Sequence, residues 1–287
     1  MEAVIVAGGL GTRLMPLTES YPKHLLPVAG VPFVAHQLAK LSAAGISRVL
    51  LATSYHADRF EPALGDGSKW RIDLVYVTES SPLGTGGAIR NAAQTLLSGS
   101  TEPVVIVNGD VLSGHHIQTQ LAFHGDRSAD VTLHLVEVAD ARPYGSVPTD
   151  ESGYVAAFSE KSSSPVSPQI NAGCYVFRRG VIDLIPAQRV VSVEREVFPG
   201  FLVGRRRVVG YLENAYWRDL GTPDALRKAS ADLVLGITTS PAYGHDPAPA
   251  WISPAAAVST EASVTGGSSV NAGAEIAAGA RVDGSVV

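Results

Sequence analysis

About the first 225 residues alternate short β-branched runs with amphipathic segments, and only a few folds accommodate this alternation. Strands are predicted at 3–7, 48–52, 74–78, 103–108 and 131–138, and helices at 34–44, 86–97 and 224–235. Strands that alternate with helices favour a mostly parallel sheet covered on both faces. In open sheets of this kind, ligands bind beyond the carboxyl ends of the strands. The sequence therefore predicts an α/β fold with its site at that edge.

From residue 251 the sequence changes to a regular repeat. Aliphatic residues recur at every sixth position, with small residues between them: Ile252, Val258, Val264, Val270, Ile276 and Val282. This period is typical of a hexapeptide parallel β-helix, in which one aliphatic side chain per short strand points into the core. The alternative is a low-complexity tail, which six aliphatic residues in phase disfavour. We predict a main domain over 1–236, a proline-rich linker over 237–250 and a partial β-helix over 251–287. Because so short a β-helix has an open apolar end, it is expected to stack on the main domain or on another subunit, which predicts a homo-oligomer.

The composition excludes several classes of protein. Hydrophobic residues make up 45% of the chain and charged residues 17%, which supports a sizeable core and rules out general disorder. A formal net charge of −5 argues against a nucleic-acid-binding surface. The single cysteine, Cys174, excludes an intramolecular disulfide framework and is expected in the core. The sequence has neither a membrane-spanning apolar stretch nor a basic leader, so we predict a cytoplasmic protein without membrane or nucleic-acid partners.

A glycine-rich loop directly follows the first predicted strand. Gly8, Gly9 and Gly11 lack Cβ atoms, so their backbone N–H groups can approach phosphate oxygens closely. Arg13 and Lys23 follow in the sequence and suit a triphosphate whose charge grows as a bond to phosphorus breaks. An ordinary tight turn with solvated cations is the alternative. The spacing matches neither the dinucleotide fingerprint G-x-G-x-x-G nor the P-loop, so a nicotinamide dehydrogenase or a P-loop kinase is not supported.

A second polar loop, NGD at 108–110, ends the apolar strand predicted at 103–108. An aspartate at the carboxyl end of a strand is placed to bind a cation such as Mg²⁺, which prefers oxygen ligands and substrate phosphates. The alternative for Asp110 is a helix cap. His115 and His116 follow this loop without the spacing of metal ligands, and both are expected at the surface.

Three strings together resemble the signature of one family. VIVAGGLGTRLMPLTESYPKHLLPVAG at 4–30, ESSPLGTGGAI at 79–89 and YWRDLGTP at 216–223 are similar to segments of the sugar-1-phosphate nucleotidyltransferases, or nucleoside-diphosphate-sugar pyrophosphorylases. The resemblance extends over essentially the whole chain, and it is strongest to the bacterial mannose-1-phosphate guanylyltransferases. It implies a Rossmann-like nucleotidyltransferase domain with a mostly parallel sheet, followed by a short left-handed hexapeptide β-helix.

The resemblance also implies roles for individual residues. Arg13 and Lys23 correspond to catalytic cations, and Asp110 and Asp219 to ligands of Mg²⁺. The implied nucleotide-binding residues are Gly8, Gly9, Gly11, Thr12, Arg13, Lys23, Glu79, Pro82, Gly84, Thr85, Asn108 and Gly109. The implied substrate-binding residues are Asp110, Gly145, Glu160, Lys161, Asn171, Gly173 and Glu194. In the base-recognition loop, Glu79 is suited to accept hydrogen bonds from the N1–H and exocyclic amine of guanine, while Gly84 and Gly86 would let the backbone approach the base.

The implied reaction is nucleotidyl transfer from a nucleoside triphosphate to a sugar-1-phosphate, with GTP and mannose-1-phosphate favoured and Mg²⁺ as the cofactor. No protein nucleophile is required, because the attacking phosphate is already an anion. Two departures from the family pattern, Met15 for arginine and His24 for proline, leave other acceptors open. These are a manno-heptose-1-phosphate, a cyclitol phosphate such as valienol-1-phosphate, and glucose-1-phosphate with adenylyl or thymidylyl transfer. A non-catalytic regulatory paralogue is expected to lack one of the catalytic or metal-binding residues, and all four are present.

Overall fold

A computed structural model describes residues 1–159, 161 and 163–287. Its strands up to residue 219 are β1 (Glu2–Ala7), β2 (Pro27–Val28), β3 (Val31–Pro32), β4 (Arg48–Thr53), β5 (Asp73–Thr78), β6 (Pro103–Asn108), β7 (Val111–Ser113), β8 (Val131–Glu137), β9 (Gln169–Arg178), β10 (Val208–Leu212) and β11 (Trp217–Asp219). Its helices are α1 (Phe33–Ala43), α2 (Phe60–Leu64), α3 (Gly84–Ala92), α4 (Ile117–Asp126), α5 (Arg179–Ile182), α6 (Phe198–Val203) and α7 (Pro223–Val234). None of the helices in the described part of the chain has both the length and the apolar character needed to cross a bilayer.

Seven of these strands form one sheet in the order β10-β8-β9-β6-β1-β4-β5. β1 runs parallel to β4 and β6, β4 runs parallel to β5, and β8 runs parallel to β10. Only β9 is antiparallel to its neighbours in this sheet, β6 and β8. The predicted α/β fold with a mostly parallel sheet is therefore confirmed.

The sheet separates two layers of the hydrophobic core. Successive side chains of a strand point to opposite faces, so Val4 and Ile106 pack on one side while Ile5 and Val105 pack on the other. All four side chains are fully buried. Strands covered on both faces read as continuous apolar runs, which explains why β1 and β6 were recognisable in the sequence.

The carboxyl ends of β1 and β6 bring the two polar loops of the sequence together. Gly109 N–H donates to the carbonyl of Val6 at 2.8 Å, which ties the NGD loop to the end of β1. β7 then pairs antiparallel with β11, and Leu220 N–H donates to the carbonyl of Asp110 at 2.9 Å. This edge of the sheet therefore places the glycine loop, the NGD loop and Asp219 side by side.

The tail consists of six short strands, β12 (Ala250–Ile252), β13 (Ala257–Val258), β14 (Ser263–Thr265), β15 (Ser268–Val270), β16 (Glu275–Ile276) and β17 (Arg281–Asp283). They pair in parallel as β12 with β15, β13 with β16 and β14 with β17. Each residue pairs with the one 18 positions further on, as Ala250 does with Ser268. Because 18 residues are three hexapeptides, this pairing is consistent with the predicted β-helix, whose handedness stays a prediction.

The tail packs on α7 and on the turn between β2 and β3. A Cβ on Gly267 would lie 2.9 Å from Ala231 of α7, and the indole of Trp251 fills the space where a Cβ on Gly30 would stand. Segment 237–250 also contacts the main domain, because Tyr243 is buried in one apolar cluster with Phe33 of α1 and Leu233 of α7. The division into domains stays a prediction, but the described tail and linker segment are both packed against the sheet domain.

His115 is buried, and the prediction that it lies at the surface is wrong. Its ring stacks on His134 with centroids 3.9 Å apart, and its Nε2 lies 3.1 Å from Gln120 Oε1. Burial lowers the pKa of His115 well below its usual value, so the ring is neutral. His116 is exposed as predicted, because adjacent residues on extended backbone point to opposite sides. The predicted core position of Cys174 is confirmed.

Candidate active site

The glycine loop wraps the side chain of Lys23. A Cβ on Gly9 would lie 3.3 Å from Lys23 Cε and Nζ, and a Cβ on Gly11 would lie 3.2 Å from Lys23 Cβ. Gly11 also has a φ of +66°, a left-handed conformation that glycine adopts without strain. Thr18 Oγ1 donates to the carbonyl of Gly11 at 2.8 Å and fixes the turn. The loop glycines are therefore needed to seat the lysine, whatever phosphate contacts they also make.

Lys23 and Asp110 form an ion pair at the centre of the site. Lys23 Nζ lies 2.5 Å from Asp110 Oδ2, and only 13% of the lysine side chain is exposed. Burial opposes ionisation of Asp110, but the adjacent ammonium outweighs it and holds the pKa of this carboxyl below its usual value. The structure thus brings together a predicted catalytic cation and a predicted metal ligand.

Asp219 faces the same centre from β11. Arg13 Nη2 lies 3.9 Å from Asp219 Oδ2, and the Arg13 guanidinium packs on Gly221, where a Cβ would come within 2.3 Å of it. Burial raises the pKa of Asp219, and the negative charge of Asp110 raises it further. The carboxylates of Asp110 and Asp219 are therefore close enough to repel each other.

This pair of carboxylates fits a divalent metal ion. Asp219 Oδ1 is buried and has no hydrogen-bond partner within the described part of the chain. A bound cation would satisfy this oxygen and relieve the repulsion between the two aspartates. No cluster of three or more His, Cys, Asp or Glu suited to a metal occurs among the described residues. Two carboxylates completed by substrate phosphate oxygens are the ligand set typical of Mg²⁺.

A polar cleft of about 390 Å³ opens beside the two aspartates. Its walls hold most of the residues predicted to bind the substrate, namely Asp110, Lys161, Asn171, Gly173 and Glu194. Arg13 and Asn108, which were predicted to bind the nucleotide, line the same cleft. Asn171 Nδ2 donates to Glu194 Oε1 at 2.7 Å and to the hydroxyl oxygen of Tyr175 at 2.8 Å. Gly145 lines an adjoining cleft of about 230 Å³ whose walls share Lys161 and Glu194. The structure therefore collects the predicted sugar-binding residues next to the predicted metal ligands.

Glu79 lies at the end of β5, close to the glycine loop. The residue is 7% exposed, and its Oε2 accepts a hydrogen bond from Leu83 N–H at 3.0 Å. Oε2 would be 3.8 Å from a Cβ on Gly8. The other oxygen, Oε1, is buried and has no partner among the described residues. Burial raises the pKa of this carboxyl because it disfavours the charged form. A hydrogen-bond donor that reaches Oε1 would offset this cost and would therefore be strongly favoured.

Gly84 and Gly86 of segment 79–89 lie against segment 189–193, and their contact with a base stays a prediction. A Cβ on Gly84 would lie 2.7 Å from the carbonyl oxygen of Val191, and a Cβ on Gly86 would lie 3.0 Å from Val191 Cγ1. The space that these glycines leave open is thus filled by segment 189–193. Thr85 Oγ1 accepts a hydrogen bond from Val193 N–H at 2.9 Å.

The remaining predicted site residues differ in their burial and in their contacts with the loops around the two aspartates. Gly8 accepts a hydrogen bond from Ser54 Oγ at 2.8 Å, and Gly109 fits between Val6 and His24. Thr12 and Pro82 are exposed on the two loops. Glu160 was predicted to bind the sugar, and it lies outside the described residues.

Two residues that support the centre were missed in the sequence. Gln37 of α1 donates from Nε2 to the carbonyls of Asn108 and Val111, at 2.7 and 3.0 Å, and so holds the backbone on both sides of Asp110. The available signal was a polar residue one turn before Lys40, on the side of α1 that faces the sheet. His24 was noted only as a departure from proline. Its buried ring packs beneath the NGD loop, and burial lowers its pKa to about 3, so it is neutral.

Paired cations and carboxylates at the carboxyl edge of a mostly parallel sheet, beside a polar cleft, suit an enzyme that transfers a phosphate-containing group. The chain belongs to the nucleotidyl transferase family, whose model matches residues 2–234. This match covers the sheet domain and ends at the last residue of α7. Members of the family generally use a divalent metal, in agreement with the carboxylate pair.

Two proteins similar to this chain are named mannose-1-phosphate guanylyltransferases. The chain is 51% identical to mannose-1-phosphate guanylyltransferase of Mycobacterium tuberculosis, a match that covers 100% of this chain and 79% of the relative. It is 37% identical to mannose-1-phosphate guanylyltransferase catalytic subunit beta of Drosophila melanogaster, over 77% of this chain and 60% of that protein. The chain thus spans between three fifths and four fifths of the length of these two relatives.

Solved structures agree with the observed fold. The crystal structure of HddC from Yersinia pseudotuberculosis complexed with GMP-PN matches with a TM-score of 0.69 at 30% identity, covering 80% of this chain and 97% of that chain. UDP-glucose pyrophosphorylase complexed with UDP-glucose matches with a TM-score of 0.68, covering 80% of this chain and 96% of that chain. At 19% identity the second likeness shows the fold alone.

Proposed function

We propose that this chain transfers a guanylyl group from GTP to mannose-1-phosphate, forming GDP-mannose and pyrophosphate. The observation that carries the proposal is the convergence of Arg13, Asp110 and Asp219 at one polar cleft, with Lys23 paired to Asp110. The names of the mycobacterial and Drosophila relatives support mannose-1-phosphate as the acceptor and a guanylyl group as the transferred unit.

The proposed reaction is a single in-line displacement at phosphorus. An oxygen of the sugar phosphate attacks the α-phosphorus of the triphosphate, the bond from that phosphorus to the bridging oxygen breaks, and pyrophosphate leaves. Asp110 and Asp219 would hold a divalent cation, proposed to be Mg²⁺, which would shield the phosphate charge and help to orient the α-phosphate. Lys23 and Arg13 offset the charge that accumulates on the transferred and leaving groups. Their fixed positions also lower the entropic cost of alignment.

The choice of guanine rests on Glu79. Its Oε1 is a buried acceptor without a partner among the described residues, at the end of the strand that leads into the base-recognition loop. Guanine presents two adjacent donors, N1–H and the exocyclic amine, to such a carboxylate. Adenine has no N1–H, so its ring nitrogen would face the carboxylate as a second acceptor. A buried acceptor left unpaired is costly, which favours guanine over adenine.

Glu79→Gln is expected to lower kcat/KM for GTP by about 10–100-fold, because a hydrogen bond to a charged group contributes about 1.5–3 kcal/mol. The amide would also turn one donor toward the donors of guanine. The KM for mannose-1-phosphate should stay within twofold of the wild-type value. Steady-state pyrophosphate release with each substrate varied in turn measures both constants. The exposed Glu61→Gln is the matched control, and equal losses in the two variants would contradict the role of Glu79.

Pyrophosphate release over a panel of substrates tests the function as a whole. GTP, ATP, TTP and UTP are each paired with mannose-1-phosphate, manno-heptose-1-phosphate, valienol-1-phosphate and glucose-1-phosphate, in the presence of Mg²⁺. We expect the highest kcat/KM for GTP with mannose-1-phosphate. A higher value for another pair would replace the proposed substrates, and release with none of the pairs would favour a non-catalytic regulatory paralogue.

The identity of the metal, the handedness of the tail, the oligomeric state and the location are part of the same proposal. The carboxylate oxygens of Asp110 and Asp219 support Mg²⁺ as the metal, since this ion prefers oxygen ligands. The 18-residue offset of the tail strands supports a coil of three hexapeptides, which we propose to be left-handed. A homo-oligomer is proposed because a short β-helix has an open apolar end, and a cytoplasmic location is proposed on the sequence alone.

A further inference from the structure

We propose that Thr85 is a positioning residue that couples the base-recognition loop to the sugar pocket, through the backbone of Val193 and the side chain of Glu194. The inference rests on the proposed function. It differs from the nucleotide contact that the family resemblance implies for Thr85. Three features of the structure carry it: one side-chain hydrogen bond, an interlocked backbone, and the place of Glu194 in the cleft.

The hydrogen bond joins the two loops directly. Thr85 Oγ1 accepts from Val193 N–H at 2.9 Å, across 108 positions of the sequence. Val193 is 1% exposed and starts the short helical turn that runs to Val197. The first N–H groups of a helical turn have no partner within the turn, so they depend on an external acceptor. Removing the Thr85 hydroxyl would leave a buried N–H unpaired, and the turn would have to shift to find water.

The backbones of the two loops are interlocked at the same place. Gly86 N–H donates to the carbonyl of Val191 at 2.9 Å, and Val191 N–H donates to the carbonyl of Leu83 at 2.9 Å. A Cβ on Gly84 would lie 2.7 Å from the Val191 carbonyl oxygen, so the two backbones are in direct contact. The loop that follows Glu79 therefore cannot move without moving segment 191–193.

Glu194 carries this connection into the sugar pocket. It follows Val193 directly, and its Oε1 accepts a hydrogen bond from Asn171 Nδ2 at 2.7 Å. Both side chains line the cleft together with Lys161. Any shift of the Val193 backbone reaches the Glu194 carboxylate over a single residue. The backbone hydrogen bonds hold the loop that follows Glu79, and the Thr85 hydrogen bond extends this connection to Val193 and Glu194. A seated base thus keeps Glu194 in place for the sugar.

The experiment separates this role from a nucleotide contact by measuring the two KM values independently. Thr85→Val keeps the shape of the side chain and loses the acceptor, whereas Thr85→Ser keeps the hydroxyl. In full-length protein we expect Thr85→Val to raise the KM for mannose-1-phosphate about tenfold and to leave the KM for GTP within twofold. Thr85→Ser should match the wild type in both. Thr85→Ala serves as a second acceptor-free variant if the valine variant fails to fold, which its Tm reports.

A double-mutant cycle tests whether the effect passes through Glu194. In a Glu194→Gln background, Thr85→Val should change the KM for mannose-1-phosphate by less than twofold, because the carboxylate it positions is already gone. Three results would overturn the proposal. These are a rise confined to the KM for GTP, equal rises in both KM values, and additive effects in the cycle. If a different substrate pair gives the highest kcat/KM in the pyrophosphate-release panel, the proposed substrates are wrong. The KM values for that triphosphate and that sugar phosphate are then compared in the same variants.

Discussion

Lys23→Met is expected to fold like the wild type and to lower kcat by about 10²–10³-fold, the loss typical of removing one fixed electrostatic group from an active site. Methionine preserves most of the stem that packs against Gly9 and Gly11, so the glycine loop keeps its shape. The ammonium is lost from the point where charge accumulates on the phosphates, and Asp110 loses its partner at 2.5 Å. Single-turnover pyrophosphate release at saturating substrates measures the chemical step.

Lys69→Met provides the matched control for this substitution. Lys69 is exposed and lies 5.6 Å over the ring of Trp70, away from the cleft residues. The same chemical change there should leave kcat within twofold. A Lys23→Met protein with native Tm and wild-type turnover would remove Lys23 from the mechanism.

Asp219→Asn is expected to lower activity by about 10²–10³-fold at low Mg²⁺ without lowering the Tm of the ligand-free protein. The amide is a weaker ligand for a divalent metal than the carboxylate, so more Mg²⁺ should be needed for half-maximal activity. The Tm should not fall, because the substitution removes a largely buried charge that Asp110 repels. The lost contact with the exposed Arg13 is long, at 3.9 Å, and is worth little. A Mg²⁺ titration of the rate and a thermal melt measure the two effects.

Asp224→Asn is the control for the second substitution. Asp224 lies in the first turn of α7, is 61% exposed and pairs with Arg227 and Lys228. Its neutralisation should leave the Mg²⁺ dependence unchanged. If Asp219→Asn kept the wild-type Mg²⁺ dependence, or lost activity only in proportion to lost folded protein, the metal role of Asp219 would be contradicted.

The elements of the sheet were predictable because their signals are local. All five predicted strands are present with ends shifted by at most one residue, since each is an apolar run bounded by turn residues. The helix predicted at 86–97 instead begins at Gly84 and ends at Ala92. Segment 189–193 takes up the side of α3 where Gly84 and Gly86 lie, a contact that helix propensity does not report.

The sequence predicted which residues form the candidate site, but it predicted less of what each residue does there. The NGD loop and the family resemblance identified Lys23, Asp110 and Asp219, and the structure brings these three together. The strings did not reveal that Gly9 and Gly11 seat the lysine, or that Thr85 accepts a hydrogen bond from Val193. Gln37 gave only a weak signal, because holding a distant backbone requires no motif.

The sequence by itself determined the strand and helix segments, the six-residue repeat of the tail and the residue types available for chemistry, because apolar periodicity and turn residues act over neighbouring positions. Only the tertiary structure decided which of these residues meet. Asp110 and Asp219 become neighbours because β7 pairs with β11, and segment 79–89 meets the wall of the polar cleft because segment 189–193 packs into the space that Gly84 and Gly86 leave. Such contacts depend on the summed packing of segments far apart in the chain, and no local pattern encodes that sum.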